Sequence, residues 1–322
     1  MRYYYASLSK SKMQLCNRIV SQLKKGRQNF EVFEPLIQAQ EIFDVISVID
    51  KDFPEIFFLD IKRKPAQISQ IGFLKKVYIP FAYSMYQIRE LQSEIEKILQ
   101  ALSVQVYRAN SIEKKEKILY DYLTTHVTYD YAVPIPMHYT IVGPLIYHKA
   151  ICEGFAKAFK FLCDYFGIPC LIVSGTSRDS SSGQIENHSW NIIQLDDGNY
   201  YHADVTWDCS SKEYMYLNLS DSEMSTTHSW NQSEVPICNH NRNQSNYPYF
   251  ISASALNEYM KNVFRLKQKK FAFRVNHDFQ TTEVVLDLLR KIAERNPEAA
   301  VRHISVLYYR EQGLIKCEFS YF

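Results

Sequence analysis

Between Ala150 and Asp208 the apolar periodicity of this chain changes from that of a helix to that of paired strands, and this change restricts the fold more than any other feature. In AICEGFAKAFKFLCDYFGIPC, Phe155, Phe159, Leu162 and Phe166 recur at helical spacing. The helix is expected to start near Ala150–Glu153 and to end at Gly167, with Pro169 beyond it. Past the proline, Cys170–Gly175, His188–Leu195 and Tyr200–Asp204 read as strands. Asp196-Asp197-Gly198-Asn199 is a hairpin signal between the last two. A helix laid against an antiparallel ribbon predicts an α+β fold.

The flanks follow the same class. Ser9 to Lys25 reads as a helix with Ser9 as N-cap and Gly26 past its end, and a second periodic run covers Leu36 to Ile49. Asp52-Phe53-Pro54-Glu55 breaks that run, and Ile56–Leu59 and Lys76–Ile79 read as strands. A long helix with Met85, Ile88, Leu91, Ile95, Leu99 and Leu102 on one stripe closes an N-terminal unit near Asn110. A middle unit of residues 111–220 opens with a helix from Ser111 to Thr124, its exposed face supplied by Lys114 to Lys117. An aromatic, irregular stretch from Tyr129 to Tyr147 precedes the central helix, and Ser177 to Ser182 reads as a loop. The C-terminal unit, 221–322, has the pattern of helices near Ala253–Leu266 and Thr281–Glu294 and strands near Lys270–Arg274, Val301–Tyr309 and Gly313–Phe319.

Composition excludes several classes. The apolar fraction of 46% is enough for packed cores. A net charge of only +2 gives no field for nucleic acid or an anionic membrane, and Lys267-Gln268-Lys269-Lys270 is too short for a binding patch. MRYYYASLSKSKMQLC has neither the apolar core nor the cleavage site of a leader, and no stretch is long enough to span a bilayer. The chain as given is expected in the cytoplasm, or outside the cell if a leader has been removed. Seven cysteines at irregular spacings do not form a disulfide framework, and no CxxC pair or EF-hand pattern is present. No metal and no cofactor is expected.

Three residues stand out against this background. Cys152 falls in the first turn of the central helix, where unpaired N–H groups and the helix dipole favour a thiolate and can hold an oxyanion. Gly154 allows close backbone approach there. His188 opens a strand, and Trp190 shares its face. Asp204 ends the next strand. A two- or four-residue loop would set Asp204 opposite Asn191, on the wrong face. A three-residue loop or a bulge sets it opposite Trp190 or Ile192, with His188 diagonal to it in the first case. Taken singly, Cys152 reads more readily as a small buried residue, His188 as a structural histidine and Asp208 as a turn or cap residue. His202 keeps a structural reading, and Trp190 and Trp207 read as walls around a Cys–His pair.

In combination these segments resemble the transglutaminase-like superfamily, specifically the bacterial members with a transglutaminase core. The matching stretches are GPLIYHKAICEGFAKAFKFLCDYFGIPCLIVSG, ENHSWNIIQLDDGNYYHADVTWD and YLNLSDSEMSTTH, about a third of the chain between Tyr120 and His228. Asp52–Phe57 also resembles the N-terminal part of such proteins. Ser189 stands where many relatives carry Ala, and relatives of this kind often carry a secretion signal or anchor. The resemblance implies a papain-like core, with Cys152 as nucleophile, His188 as base and Asp204 as the residue orienting it. It implies acyl transfer on protein or peptide amides through a thioester, as a transglutaminase, a deamidase or a cysteine protease; a glycan-releasing amidase would share the triad. The alternative is a non-catalytic interaction module on the same fold.

Overall fold

The computed structural model describes residues 1–33, 37–132, 135–178, 184–211, 214–243, 247–250, 253–275, 282–309 and 313–322. Helices α1 (Tyr3–Ala6) and α2 (Lys10–Lys24) come first. Ser9 caps α2 by accepting the N–H of Lys12, and Gly26 terminates it at φ +76°. Strand β1 (Asn29–Phe33), helix α3 (Ala39–Asp52) and strands β2 (Gln67–Ile71) and β3 (Leu74–Tyr78) follow, the strands pairing antiparallel in the order β1-β3-β2. Ile56–Leu59 is not the expected strand. Its side chains are buried, but its backbone runs through turns, with only Leu59 bridged to Phe81. An apolar run reports burial, and here the tight path after Pro54 decides the conformation. Helix α4 (Met85–Val106) starts at a capping box of Ser84 and Gln87.

Helix α5 (Ile112–His126) leads to β4 (Thr128–Tyr129), a 3-10 turn (Pro136–Tyr139), a π-helical turn (Gly143–Tyr147) and β5 (Lys149–Ala150). Strands β4 and β5 pair in parallel, Tyr129 opposite Ala150. Then come α6 (Cys152–Tyr165), β6 (Cys170–Arg178), β7 (Ile185–Gln194), β8 (Tyr200–Ala203), α7 (Val205–Ser211), β9 (Leu217–Leu219), α8 (Asp221–Met224) and β10 (His228–Trp230). The five strands form one antiparallel sheet in the order β10-β6-β7-β8-β9, and α6 packs on it. Of the Ser-rich patch, Ser177 and Arg178 close β6, while residues 179–183 lie outside the described residues.

Burial explains why α6 is fixed so firmly. Phe155, Phe159, Leu162 and Cys163 are completely buried, as the stripe requires. Lys157 and Lys160, on other faces, are buried too. Lys157 pairs with Asp50 of α3 at 2.6 Å and with Glu153 at 2.8 Å, and Lys160 pairs with Asp164 at 2.9 Å. An ion pair from α3 thus reaches α6, α5 packs on the helix beside it, and one apolar cluster runs from Leu15 to Leu217. The expected exposed face over residues 114–117 fails at Glu116, which is fully buried.

Beyond the core sheet, β11 (Tyr249–Phe250), α9 (Ala253–Arg265), β12 (Lys270–Val275), α10 (Thr282–Glu294), β13 (Val301–Tyr309) and β14 (Leu314–Tyr321) build a separate four-stranded sheet in the order β11-β12-β14-β13. It has its own apolar cluster around Met260, Phe273, Leu289 and Phe319. Among the described residues no helix is long and apolar enough to cross a membrane.

Candidate active site

Cys152 is the first residue of α6, and Ile151 before it is extended and offers no side-chain cap. The N–H groups of the first turn thus lack a side-chain acceptor from the N-cap residue. Cys152 is partly exposed, whereas the six other cysteines are buried. Gly154 is required by packing: a Cβ there would lie 2.2 Å from the carbonyl oxygen of His138. Its close approach is to the chain's own backbone, which pins the start of α6 against the turn at Pro136–Tyr139. Across β4, the Tyr129 phenol lies near the start of α6, and the Cys152 backbone N–H acts to lower it. Burial is the main cause that pushes the Tyr129 phenol up to about 12, so it keeps its proton.

The hairpin carries the other two residues. Asn191 pairs with Ala203, Ile192 with His202, Ile193 with Tyr201 and Gln194 with Tyr200. Leu195 and Asn199 close the ribbon at 3.1 Å around residues 196–198, with Gly198 at φ +78°. This is a three-residue loop, and its register sets Asp204 across from Trp190 with His188 on the diagonal. His188 Nε2 and Asp204 Oδ2 are 2.7 Å apart and both groups are buried. The ring's second nitrogen, Nδ1, is left free of Asp204, and Cys152 is among the neighbours that raise the His188 imidazole. Burial works against a charge on His188, but Asp204 and Cys152 together outweigh it and raise the imidazole to about 10. Burial raises the carboxyl of Asp204, but His188 and His228 together lower it further, so it ends well below the usual range.

Asp204 is held from all sides. Its Oδ1 accepts the N–H groups of Thr206 at 2.9 Å and Trp207 at 3.3 Å, which makes it the cap of α7. Its Oδ2 also takes His228 Nε2 at 3.1 Å, and Thr227 Oγ1 stands 2.8 Å from the Nδ1 of His228. The Tyr120 hydroxyl lies 2.8 Å from the Asp204 carbonyl oxygen and 2.6 Å from Asp208 Oδ2. One hydroxyl hydrogen serves two such acceptors fully only if Asp208 brings a proton of its own. Burial pushes Asp208 up to about 7, in keeping with that proton, although Met215 and Tyr216 donate their N–H groups to it. Asp208 is thus a buried anchor and not the turn or cap residue expected from sequence.

The walls are aromatic. Trp190 is stacked against His188 at 5.9 Å between centroids, and Trp207 lies tilted at 6.1 Å. Trp190 Nε1 donates to His202 Nδ1 at 2.9 Å, and His202 Nε2 meets Asp221 Oδ1 at 2.8 Å. Asn191, next to Trp190, ties α6 to β6 by donating to the carbonyls of Ala156 and Leu171. The groups His188–Asp204–His228 and His202–Asp221–Cys238 each gather atoms that ligate metals. In the second, an indole can only donate, so His202 Nδ1 accepts and Nε2 bears the proton facing Asp221. No lone pair remains on that ring for a cation. In the first, both imidazoles donate to one carboxylate.

Sequence reasoning missed Tyr129, His228 and Tyr120 as parts of this site. The His228 segment carried a signal, since it belongs to the third stretch of the family resemblance. For Tyr129 the sequence offered only the aromatic stretch from Tyr129 to Tyr147 as a source of a further oxyanion donor and singled out no residue, because the place of Tyr129 beside Cys152 depends on the parallel pairing of β4 with β5.

Residues 100–205 match the family model described as the transglutaminase-like superfamily. Human kyphoscoliosis peptidase is 27% identical over 104 residues, covering 29% of this chain and 15% of that protein. The mouse kyphoscoliosis peptidase is 25% identical over 124 residues, covering 34% and 18%. This chain therefore spans less than a fifth of the curated relatives it matches. Among solved structures, a protein described as a TGase aligns at a TM-score of 0.32 and 11% identity over 55% of this chain and 50% of its own. The periplasmic domain of TgpA from Pseudomonas aeruginosa aligns at 0.29 and 12% identity over 46% and 64%.

Proposed function

Because residues 100–205 of this chain belong to the transglutaminase-like superfamily, we propose that the protein is a cysteine-dependent acyltransferase or hydrolase acting on protein or peptide amides. The observation that carries this reading is the buried His188–Asp204 pair, 2.7 Å apart, set beside a partly exposed cysteine at a helix start. In this reading Asp204 fixes the tautomer of His188, and His188 takes the proton of Cys152. The sulfur adds to the amide carbonyl, and the oxyanion meets the N–H groups of the first turn of α6 together with the Tyr129 hydroxyl. Collapse breaks the C–N bond, and His188 gives its proton to the departing amine. The thioester left on Cys152 is resolved by water, giving hydrolysis or deamidation, or by a lysine amine, giving a crosslink. His188 accepts the proton of that second nucleophile. Trp190 and Trp207 form the walls that keep bulk water from the pair.

Site-resolved alkylation tests this reading. At about pH 6, iodoacetamide is expected to label Cys152 well ahead of the six buried cysteines. The advantage should vanish in His188→Asn. Equal labelling of Cys152 in the two proteins would sink the mechanism. A glutamine peptide offered with and without a primary amine then separates the outcomes, through ammonia release, amine incorporation or chain cleavage.

A further inference from the structure

We propose that His228 is a positioning residue that fixes the Asp204 carboxylate toward His188. The inference rests on the triad reading above and extends it to a fourth side chain on β10, the far edge strand of the sheet. Asp204 Oδ2 lies 2.7 Å from His188 Nε2 and 3.1 Å from His228 Nε2, and all three groups are buried. A carboxylate only accepts, so both nitrogens facing it must carry hydrogen. For His228 that leaves Nδ1 as the acceptor of the Thr227 hydroxyl, 2.8 Å away. The donors then run in one direction: Thr227 to His228, and His228 to Asp204. His188 donates to Asp204 from the other side.

Asp204 needs this support because its position on the backbone does not fix its carboxylate. It stands after the last residue of β8, and its Oδ1 is committed to the N–H groups of Thr206 and Trp207. With Oδ2 held by one imidazole alone, the carboxylate could follow that ring whenever the ring moved. His228 supplies a second fixed donor that does not take part in the proton transfers. Its own ring is clamped by Trp190 at 4.9 Å, Trp207 at 4.7 Å and Tyr216 at 5.7 Å. The titratable groups facing it are Asp204, His188, His202 and the Tyr216 hydroxyl. Burial pushes His228 down, Asp204 works in the opposite direction, and His188 and His202 push it down further. It therefore stays neutral, and the only imidazolium on Asp204 is the one that faces Cys152.

The probe is iodoacetamide, with the ultraviolet thiolate absorbance titrated in parallel on the full chain. His228→Phe keeps an aromatic ring without the donor. It is expected to slow Cys152 alkylation about tenfold at mildly acidic pH, the loss of one charge-assisted hydrogen bond. It should also move the midpoint of the thiolate titration upward. His228→Gln, whose amide nitrogen reaches the place of Nε2, should restore most of both. A merely structural His228 would change the melting temperature and leave the midpoint where it was, and that result overturns the proposal. If His228→Phe does not fold, Thr227→Val decides: it removes the hydroxyl that sets the His228 tautomer and should move the midpoint in the same direction by less. An unmoved midpoint there is likewise fatal. His188→Asn separates the two readings. If it leaves alkylation fast, the triad itself fails; if it slows alkylation while His228→Phe does not, only the role of His228 fails.

Discussion

At the scale of single residues, the site is defined by how few hydrogen-bonding choices its groups have. A carboxylate with two imidazoles and two backbone N–H groups around it has no free orientation. Tyr129 is different, because its hydroxyl keeps its proton close to the Cys152 N–H and has a hydrogen to give. If that hydrogen meets the oxyanion, Tyr129→Phe should slow acylation of Cys152 by 4-nitrophenyl acetate about 100-fold, the scale of one lost oxyanion donor. Alkylation by iodoacetamide forms no oxyanion and should be unchanged. Faster acylation in Tyr129→Phe would instead mean that the phenol covers the N–H and must leave before a substrate carbonyl can use it.

At the scale of elements, the hairpin of β7 and β8 shows what patterning can decide. Period-two alternation fixes which side chains share a face, so only an odd loop or a bulge could bring Asp204 to His188, and the three residues 196–198 do so. One glycine inserted between Ala203 and Asp204 leaves the paired residues of the hairpin in register and should therefore carry Asp204 to the opposite face. The sheet would still form, while Cys152 alkylation should fall at least about tenfold, the loss of one charge-assisted contact. Retention of fast alkylation in a folded insertion variant would show that register does not hold the carboxylate. The start of α6, the pairing of the hairpin's two strands and the helix caps at Ser9 and Ser111 were likewise readable, because each depends on residues close in sequence. What was not readable depends on distant partners. Ile56–Leu59 is apolar and yet turns, Glu116 meets Asn218 across 102 residues, and Asp208 meets Tyr120 across 88. No local pattern distinguishes such a buried carboxyl from a solvated one.

At the scale of the whole molecule, those buried carboxyls set how stability responds to pH. Burial pushes Glu116 up to about 8 and Asp208 up to about 7. Asn218 Nδ2 donates to Glu116 Oε2 at 2.9 Å, while Glu116 Oε1 and Asn218 Oδ1 are both buried without a partner. A proton on Oε1 gives the Asn218 oxygen a donor and completes an acid–amide pair between α5 and β9. The folded state thus keeps protons that the unfolded chain releases above about pH 4. The sign follows from linkage: where the folded state binds more protons, stability falls as pH rises. His188, raised to about 10, acts in the same direction between about pH 6.5 and 10. Asp204, lowered, acts oppositely, and its contribution disappears as pH falls below the ordinary carboxylate range. Urea midpoints should therefore be highest in mildly acid solution and decline toward pH 8, by up to about 1.4 kcal/mol per pH unit for each carboxyl held protonated. Glu116→Gln offers Asn218 the same pair of hydrogen bonds with nothing to ionise. It should flatten the decline between about pH 5 and 8 and leave alkylation of Cys152 unaltered. An unchanged slope in that variant would mean that Glu116 is ionised in the fold, with its second oxygen satisfied in some other way.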